Sequence, residues 1–266
     1  MKPHLAITMG DPAGVGPEII VKACDRLRDR IANGDLRLLV IGSVDQLARA
    51  RALLGIDIDI PETTIDAEWP ALACLQAGPQ SGEIPFGEIS FDGGNLAYLA
   101  IETAVRLTEA GRIQGLVTAP LNKEALNHAG HHFAGHTDML AHLTGSKSSV
   151  MLLAHGNMRV SHVTTHVALE DVPKKLTPER LRKVIELTHE SLVDLGVDRA
   201  RIAVAALNPH CGEGGLFGRQ DIEVSEPVIA AMRAEGKDIV GPVAGDTVFV
   251  KLRAGQYDAV VAMYHD

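Results

Sequence analysis

Short apolar runs alternate along this chain with longer segments that are apolar at helical spacing, and that alternation constrains the fold more than any other feature. Strand–helix units strung together in this way put successive strands side by side and parallel, so the expected class is α/β with a largely parallel sheet. Residues 4–8 read as a buried strand. A turn rich in Gly and Pro follows, then a helix from near Pro17 in which Ile19, Ile20, Ala23, Cys24 and Leu27 recur at helical spacing. Residues 36–41 form the next expected strand, and Ser43 stands where a helix over 44–54 needs its N-cap. Residues 57–94 are less periodic and hold several Pro and Gly, which reads as short strands and loops. A helix over 95–110 stops at Gly111, and a strand over 116–118 follows.

The second half repeats the pattern. Strands are expected over 150–154 and 159–164, joined by a turn at His155-Gly156-Asn157. Thr177 caps and Pro178 opens a long helix to about residue 195. A strand over 201–207, a helix over 222–234 and a strand over 259–264 complete the reading. No Ser/Gly linker divides the chain, so two lobes that share an interface are expected, residues 1–122 and 123–266.

Composition narrows the function. The 266 residues are 46% hydrophobic and 22% charged, which supplies a core and excludes a disordered chain. The net charge is −9, with no basic stripe, so a phosphodiester backbone is repelled and no nucleic-acid partner is expected. One Trp, 3 Tyr and 5 Phe are too few for a base-stacking platform or an aromatic membrane belt. No apolar run reaches the length of a membrane span, and MKPHLAIT lacks the apolar core of a signal peptide. Cys24, Cys74 and Cys211 show no paired spacing, so neither a disulfide framework nor a CxxC metal site is indicated. The expected compartment is the cytoplasm.

Histidine carries the chemistry. There are 12, and any one of them is by default a surface or hydrogen-bonded residue. His166, His210 and His265 differ in placement, because each comes just after the expected end of a strand. Ligands of open α/β sheets collect at that edge. Three imidazoles there, with a position left for water or substrate, form a catalytic metal pattern. Asn208–Gly215, NPHCGEGG, adds a glycine-rich turn around His210, and Asp266 beside His265 is suited to orient a ligand imidazole. Asp266 is equally readable as a solvated loop acid.

Two further segments are ambiguous from residues alone. Residues 10–18, GDPAGVGPE, lie between strand and helix but lack both the GK[ST] ending of a phosphate loop and the third glycine of a dinucleotide fingerprint, so a tight βα turn is preferred. His128, His131, His132 and His136 precede Thr137-Asp138; they suit either a grip on a phosphate or hydroxyl, or an exposed loop.

Seven motifs occur in order: MGDPAGVGPE, TAPLNK, AGHTDML, TTHVAL, LNPHCGEGG, GPVAGDT and MYHD. Together they resemble the 4-hydroxythreonine-4-phosphate dehydrogenase family, from residue 6 to residue 266. The resemblance implies a two-domain α/β/α fold of the isocitrate/isopropylmalate-dehydrogenase type and a homodimer whose active site is shared between subunits. It also implies oxidation by NAD or NADP of a small phosphorylated hydroxy acid at a divalent Zn, Mg or Co ion. His166, His210 and His265 match the family's metal ligands, His136 and Thr137 its substrate-binding pair, and Asp246 and Asp266 acids that keep the site intact. A lysine, an asparagine and an arginine that grip substrate in the family follow its YHD motif, so part of the substrate and cofactor site is expected outside these 266 residues.

The implied reaction removes hydride from the 3-hydroxyl of 4-phosphooxy-threonine and then CO₂, giving 3-amino-2-oxopropyl phosphate for pyridoxal phosphate synthesis. A metal held by three neutral imidazoles keeps its full charge and favours ionisation of that hydroxyl. No residue is assigned as the proton-transfer base. The alternative substrate is 4-phospho-threonate or erythronate, or a cyclic diol dicarboxylate, oxidised in catabolism. A metal-dependent hydrolase and a non-catalytic binding module are the readings outside this class.

Overall fold

The computed structural model describes residues 3–80, 82 and 84–265. The chain divides into two compact units, Met1–Lys147 and Ser148–Asp266. The first contains β1 (His4–Thr8), α1 (Gly16–Arg26), α2 (Arg28–Ala32), β2 (Arg37–Gly42), α3 (Val44–Leu54), β3 (Glu62–Thr63) and β4 (Leu72–Gln76), then α4 (Phe91–Glu109), β5 (Gly115–Thr118), α5 (Lys123–His128) and α6 (His136–Leu143). The second contains β6 (Leu152–His155), β7 (Met158–His162), α7 (Val172–Lys175), α8 (Pro178–Asp194), β8 (Ile202–Ala205), α9 (Glu226–Ala234), β9 (Ile239–Val243), α10 (Gly245–Arg253) and β10 (Ala259–Ala262).

Each unit is a sheet covered on both faces. The first sheet has the order β3-β4-β2-β1-β5 and every pairing in it is parallel. Strand side chains alternate between faces. Leu38 and Val40 of β2 therefore pack with Val21 of α1 and Leu47 of α3, while Leu39 and Ile41 meet Ala100 and Ala104 of α4. The second sheet has the order β6-β7-β10-β8-β9, parallel except for the β6–β7 hairpin. Val204 and Val261 face Leu181 and Ile185 of α8 on one side; Ala203 and Val260 face Val248 and Leu252 of α10 on the other. Both faces buried is the reason these strands read as unbroken apolar runs.

Helix ends follow local chemistry. Ser43 accepts from the Gln46 N–H at the start of α3, and Gly55 closes that helix at φ 62°. Thr177 accepts from the Arg180 N–H at the start of α8. The helix expected over 95–110 starts earlier, at Phe91, because Ser90 caps it through the Gly93 N–H at 2.9 Å. Gly93 and Gly94 blur its apolar pattern. They are required there, since a Cβ would come 2.6 Å from Asp11 Oδ1 at Gly93 and 2.0 Å from the Ala125 carbonyl at Gly94.

The compact units part at 147/148, whereas the sequence reading divides the chain at 122/123. Leu126 of α5 and Met139 of α6 are buried against Ile101 of α4, which attaches residues 123–143 to the first unit. The short apolar stretches of α5 and α6 do not disclose that docking.

His4 is buried in the first strand with its ring edge against Trp69, centroids 5.3 Å apart, and its Nε2 finds no partner among the described residues. Burial, with Arg37 and Arg112 adding to it, lowers its pKa to about 4. The unfolded chain takes up a proton near pH 6.5 and the folded one does not, so stability is full above pH 6.5 and falls as the pH drops toward 4. Urea unfolding at pH 7 and pH 4.5 is expected to show a loss on the order of 2 kcal/mol from this residue, and His4→Phe is expected to flatten that part of the profile.

Candidate active site

In the second unit the loops after β7, β8 and β10 carry His166, His210 and His265, and these three strands are parallel neighbours with β10 in the middle. All three histidines therefore leave the same edge of one sheet. The strands end slightly earlier than the sequence suggests, at His162, Ala205 and Ala262. Pairing nevertheless runs on: the Val163 N–H donates to the Ala262 carbonyl at 2.9 Å and the Thr164 N–H to Met263 at 3.1 Å. The buried Thr164 hydroxyl also donates to the Met263 carbonyl, at 2.8 Å. This latch sets His166 beside His265, ring centroids 6.0 Å apart and nearly perpendicular. Both line a cavity of about 230 Å³ together with Thr165 and Tyr264.

His210 reaches this edge on a different support. Residues His210 to Gly214 take positive φ in succession, a left-handed turn that Cβ-bearing residues avoid. His166 adopts the same region at φ 53°. Such strain persists only where the surroundings over-determine it, and it clusters at functional sites. The surroundings here include Asp221. Its fully buried carboxylate accepts from the Leu207 N–H (2.8 Å), the Asn208 N–H (2.9 Å) and the Asn208 side-chain amide (3.0 Å). Asp221 thus clamps the segment that delivers His210. Sequence reasoning missed it, because an Asp inside a helix-like stretch carries no local signal of a partner 13 residues back.

The donor set fits a divalent ion in kind. The imidazoles leave one sheet edge, and His265 has a buried Nδ1 with no hydrogen-bond partner among the described residues. His166 and His210 are exposed. The three rings are not drawn together: among the described residues no three His, Cys, Asp or Glu side chains lie close enough to hold a metal. The structure brings His166 to His265 and puts His210 on the neighbouring loop. Asp266, expected to orient His265, lies outside the described residues. Asp246 is exposed in the first turn of α10 and close enough to Cys211 to help raise its thiol pKa, after burial, Asp221 and Glu226.

A fourth imidazole was not foreseen. His162 is buried at the end of β7, its ring 5.1 Å from that of His265 and its Nδ1 3.4 Å from the Met151 carbonyl. Burial lowers its pKa, so the ring is held neutral. With His265, Tyr264 and Phe249 it lines a second, largely apolar cavity of about 350 Å³.

In the first unit the histidine cluster resolves into separate roles. His131 stacks on Tyr98 at 3.7 Å and bonds Asn95, and His132 bonds Asn127, so both are structural; His128 ends α5 and is exposed. His136 differs. It opens α6, a hydrogen bond to the Ala119 backbone ties it to the end of β5, and its Nε2 is buried with no partner among the described residues. Burial lowers its pKa. Thr137 beside it is exposed. A neutral imidazole with one nitrogen fixed presents the other to a ligand in a single protonation state.

Residues 35–266 match the family described as pyridoxal phosphate biosynthetic protein PdxA. A Bradyrhizobium diazoefficiens protein named "Putative D-threonate 4-phosphate dehydrogenase" is 69% identical over 264 residues, 99% of this chain and 76% of that protein. A Geobacter metallireducens 4-hydroxythreonine-4-phosphate dehydrogenase is 42% identical over 275 residues, covering 100% of this chain and 79% of that protein. The crystal structure of a 4-hydroxythreonine-4-phosphate dehydrogenase from Burkholderia phymatum aligns with a TM-score of 0.89 at 40% identity, covering 100% of this chain and 81% of that one.

The Asp221 clamp is directly testable. Asp221→Ala leaves two half-buried backbone N–H groups without their acceptor, and each such loss costs about 1–3 kcal/mol when water cannot replace it. Chemical denaturation is expected to show a loss of roughly 2–4 kcal/mol. A loss under about 1 kcal/mol would show that other contacts hold the His210 loop.

Proposed function

The chain belongs to the PdxA family, and on that premise we propose that it is an NAD(P)-dependent, divalent-metal-dependent dehydrogenase of a 4-phosphorylated hydroxy acid. The observation that carries this reading is the exit of His166, His210 and His265 from three adjacent parallel strands at one sheet edge. The family's fold, of the isocitrate/isopropylmalate-dehydrogenase type, agrees with the two α/β/α units.

His166, His210 and His265 would hold the ion, which when bound supplies positive charge that favours ionisation of the substrate hydroxyl. Imidazoles favour Zn²⁺ or Co²⁺, and Mg²⁺ prefers oxygen ligands. A bound nicotinamide dinucleotide would supply the hydride acceptor. The His136 ring donates to the Ala119 carbonyl, so its free Nε2 would accept from a substrate hydroxyl, and Thr137 would add a hydroxyl of its own. Thr164 and Asp221 fix the loops from which the ligands extend. Asp246 and Asp266 serve as acids that keep the site intact. A homodimer with a shared active site and a cytoplasmic location complete the proposal. No helix among the described residues is long and apolar enough to cross a membrane, and Cys24, Cys74 and Cys211 are all free.

Two substrates fit this chemistry. The first is 4-phosphooxy-threonine, oxidised at the 3-hydroxyl and decarboxylated to 3-amino-2-oxopropyl phosphate. The second is D-threonate 4-phosphate, favoured by the name of the relative at 69% identity. Comparing kcat/KM for the two acids with NAD⁺ and with NADP⁺, at matched Zn²⁺, Co²⁺ or Mg²⁺, separates them. Product formed without any nicotinamide would replace the dehydrogenase reading by a metal-dependent hydrolase.

Two sets of variants test the residue assignments. Alanine at His166, His210 or His265 is expected to strip the divalent ion, read by elemental analysis of the purified protein. His136→Ala is expected to keep the ion and lower kcat/KM roughly 2- to 13-fold, the loss of one neutral hydrogen bond. Metal lost from the His136 variant would move that residue into the coordination shell.

A further inference from the structure

His162 belongs to no proposed ligand set, yet it sits against one of the ligands. It ends β7, paired with Ala262 of β10 in the parallel register. Successive residues of a strand face opposite sides of the sheet. Ser161 accordingly meets Thr188 of α8, and His162 shares the α10 side with Val160. Its neighbours there are apolar, Leu153, Val160, Ala205 and Phe249 walling the cavity already described. Leucine or phenylalanine would need no partner in that wall. An imidazole that is 4% exposed does, since burying a polar ring costs free energy unless its nitrogens are bonded.

One nitrogen is accounted for. Nδ1 lies 3.4 Å from the Met151 carbonyl, which can only accept, so the proton of the ring is on Nδ1. In a neutral imidazole the other nitrogen, Nε2, then carries a lone pair and needs a donor. His265 can supply one. Its Nδ1 is buried without a partner among the described residues, and the two ring centroids are 5.1 Å apart. Imidazoles joined by a single N–H···N bond have centroids about 5 Å apart, a bond of about 3 Å plus two short centroid-to-nitrogen spans. The spacing is therefore already that of a bonded pair, and the rings have only to turn in place.

The pairing bears on the ion. His162 stands within the strand, buried in an apolar wall, whereas the three proposed ligands stand on loops beyond the sheet edge, so it acts through His265. A ligand imidazole binds by one nitrogen, and an acceptor on its other N–H fixes the tautomer and the aim of the ring. We propose that His162 is a positioning residue for His265: its Nε2 accepts the His265 Nδ1–H and leaves only the Nε2 of His265 for a divalent ion. This deepens the metal assignment above and rests on it.

Titration of Co²⁺ into the purified chain, read by the visible absorption of the bound ion, tests it without requiring turnover. His162→Phe keeps a ring in the apolar wall but has no acceptor, and is expected to raise the Co²⁺ Kd about 10- to 100-fold and shift the absorption band. Its thermal midpoint in chelator is expected not to fall, which separates the effect from a packing loss. His162→Gln can donate to Met151 and still present an oxygen, and is expected to recover most of the affinity although it suits an apolar wall less well. A further measurement needs no variant to fold. In the Zn²⁺-loaded wild-type chain with ¹⁵N-labelled histidine, His162 is expected to be protonated on Nδ1 and bare on Nε2. A Co²⁺ Kd unchanged in His162→Phe, a weakening that His162→Gln does not relieve, or a His162 protonated on Nε2 overturns the proposal and leaves the metal assignment standing. A wild-type chain that binds no Co²⁺ overturns both.

Discussion

The parallel pairing of β10 between β7 and β8 is the interaction on which the candidate active site depends. Val260 pairs with Val160 on one side and Ala203 on the other. That register continues past the strands into the Thr164–Met263 latch, which makes His166 and His265 neighbours although they are far apart in sequence. A sheet whose central strand comes after both its flanks in the chain is made of long-range contacts, which assemble slowly and reward closure late. The histidine edge therefore exists only once the sheet is complete.

Around that frame two kinds of buried polar group bear on the candidate sites. Asp221 is satisfied three times over, and its purpose is mechanical, holding the turn that displays His210. His265 Nδ1 and His136 Nε2 are buried with no protein partner among the described residues. A buried polar atom left unpaired costs free energy, and folded chains keep few of them. Their location at the carboxyl ends of strands, in both units, is what a ligand-binding edge requires. The fully buried thiols of Cys24 and Cys74, pushed up to about 11 and about 12, take no part in such chemistry.

Much of the local structure was legible because its causes are local. Ser43 and Thr177 are caps, and Gly55 supplies a left-handed stop; each acts within a few residues of its own position. The hairpin at Gly156-Asn157 was legible for the same reason. The strand β9 and the helices α5, α6 and α10 were not, and β4 was legible only as one of the short strands expected within 57–94. They are short, and packing against elements distant in sequence stabilises them, as Leu126 and Met139 are held against Ile101. The division of the chain at 147/148 rather than 122/123 follows from that same packing.

By itself the sequence determined the α/β class, the strand-end placement of His166, His210 and His265, and the family, because periodicity, capping and ordered motifs are properties of neighbouring residues. The tertiary structure alone decided which strands are adjacent, and so which histidines meet. It separated His136 from the structural His131 and His132, brought His162 to His265, and put Asp221 under the His210 loop. Strand order and burial arise from contacts between residues remote in the chain, and a one-dimensional pattern carries no record of them.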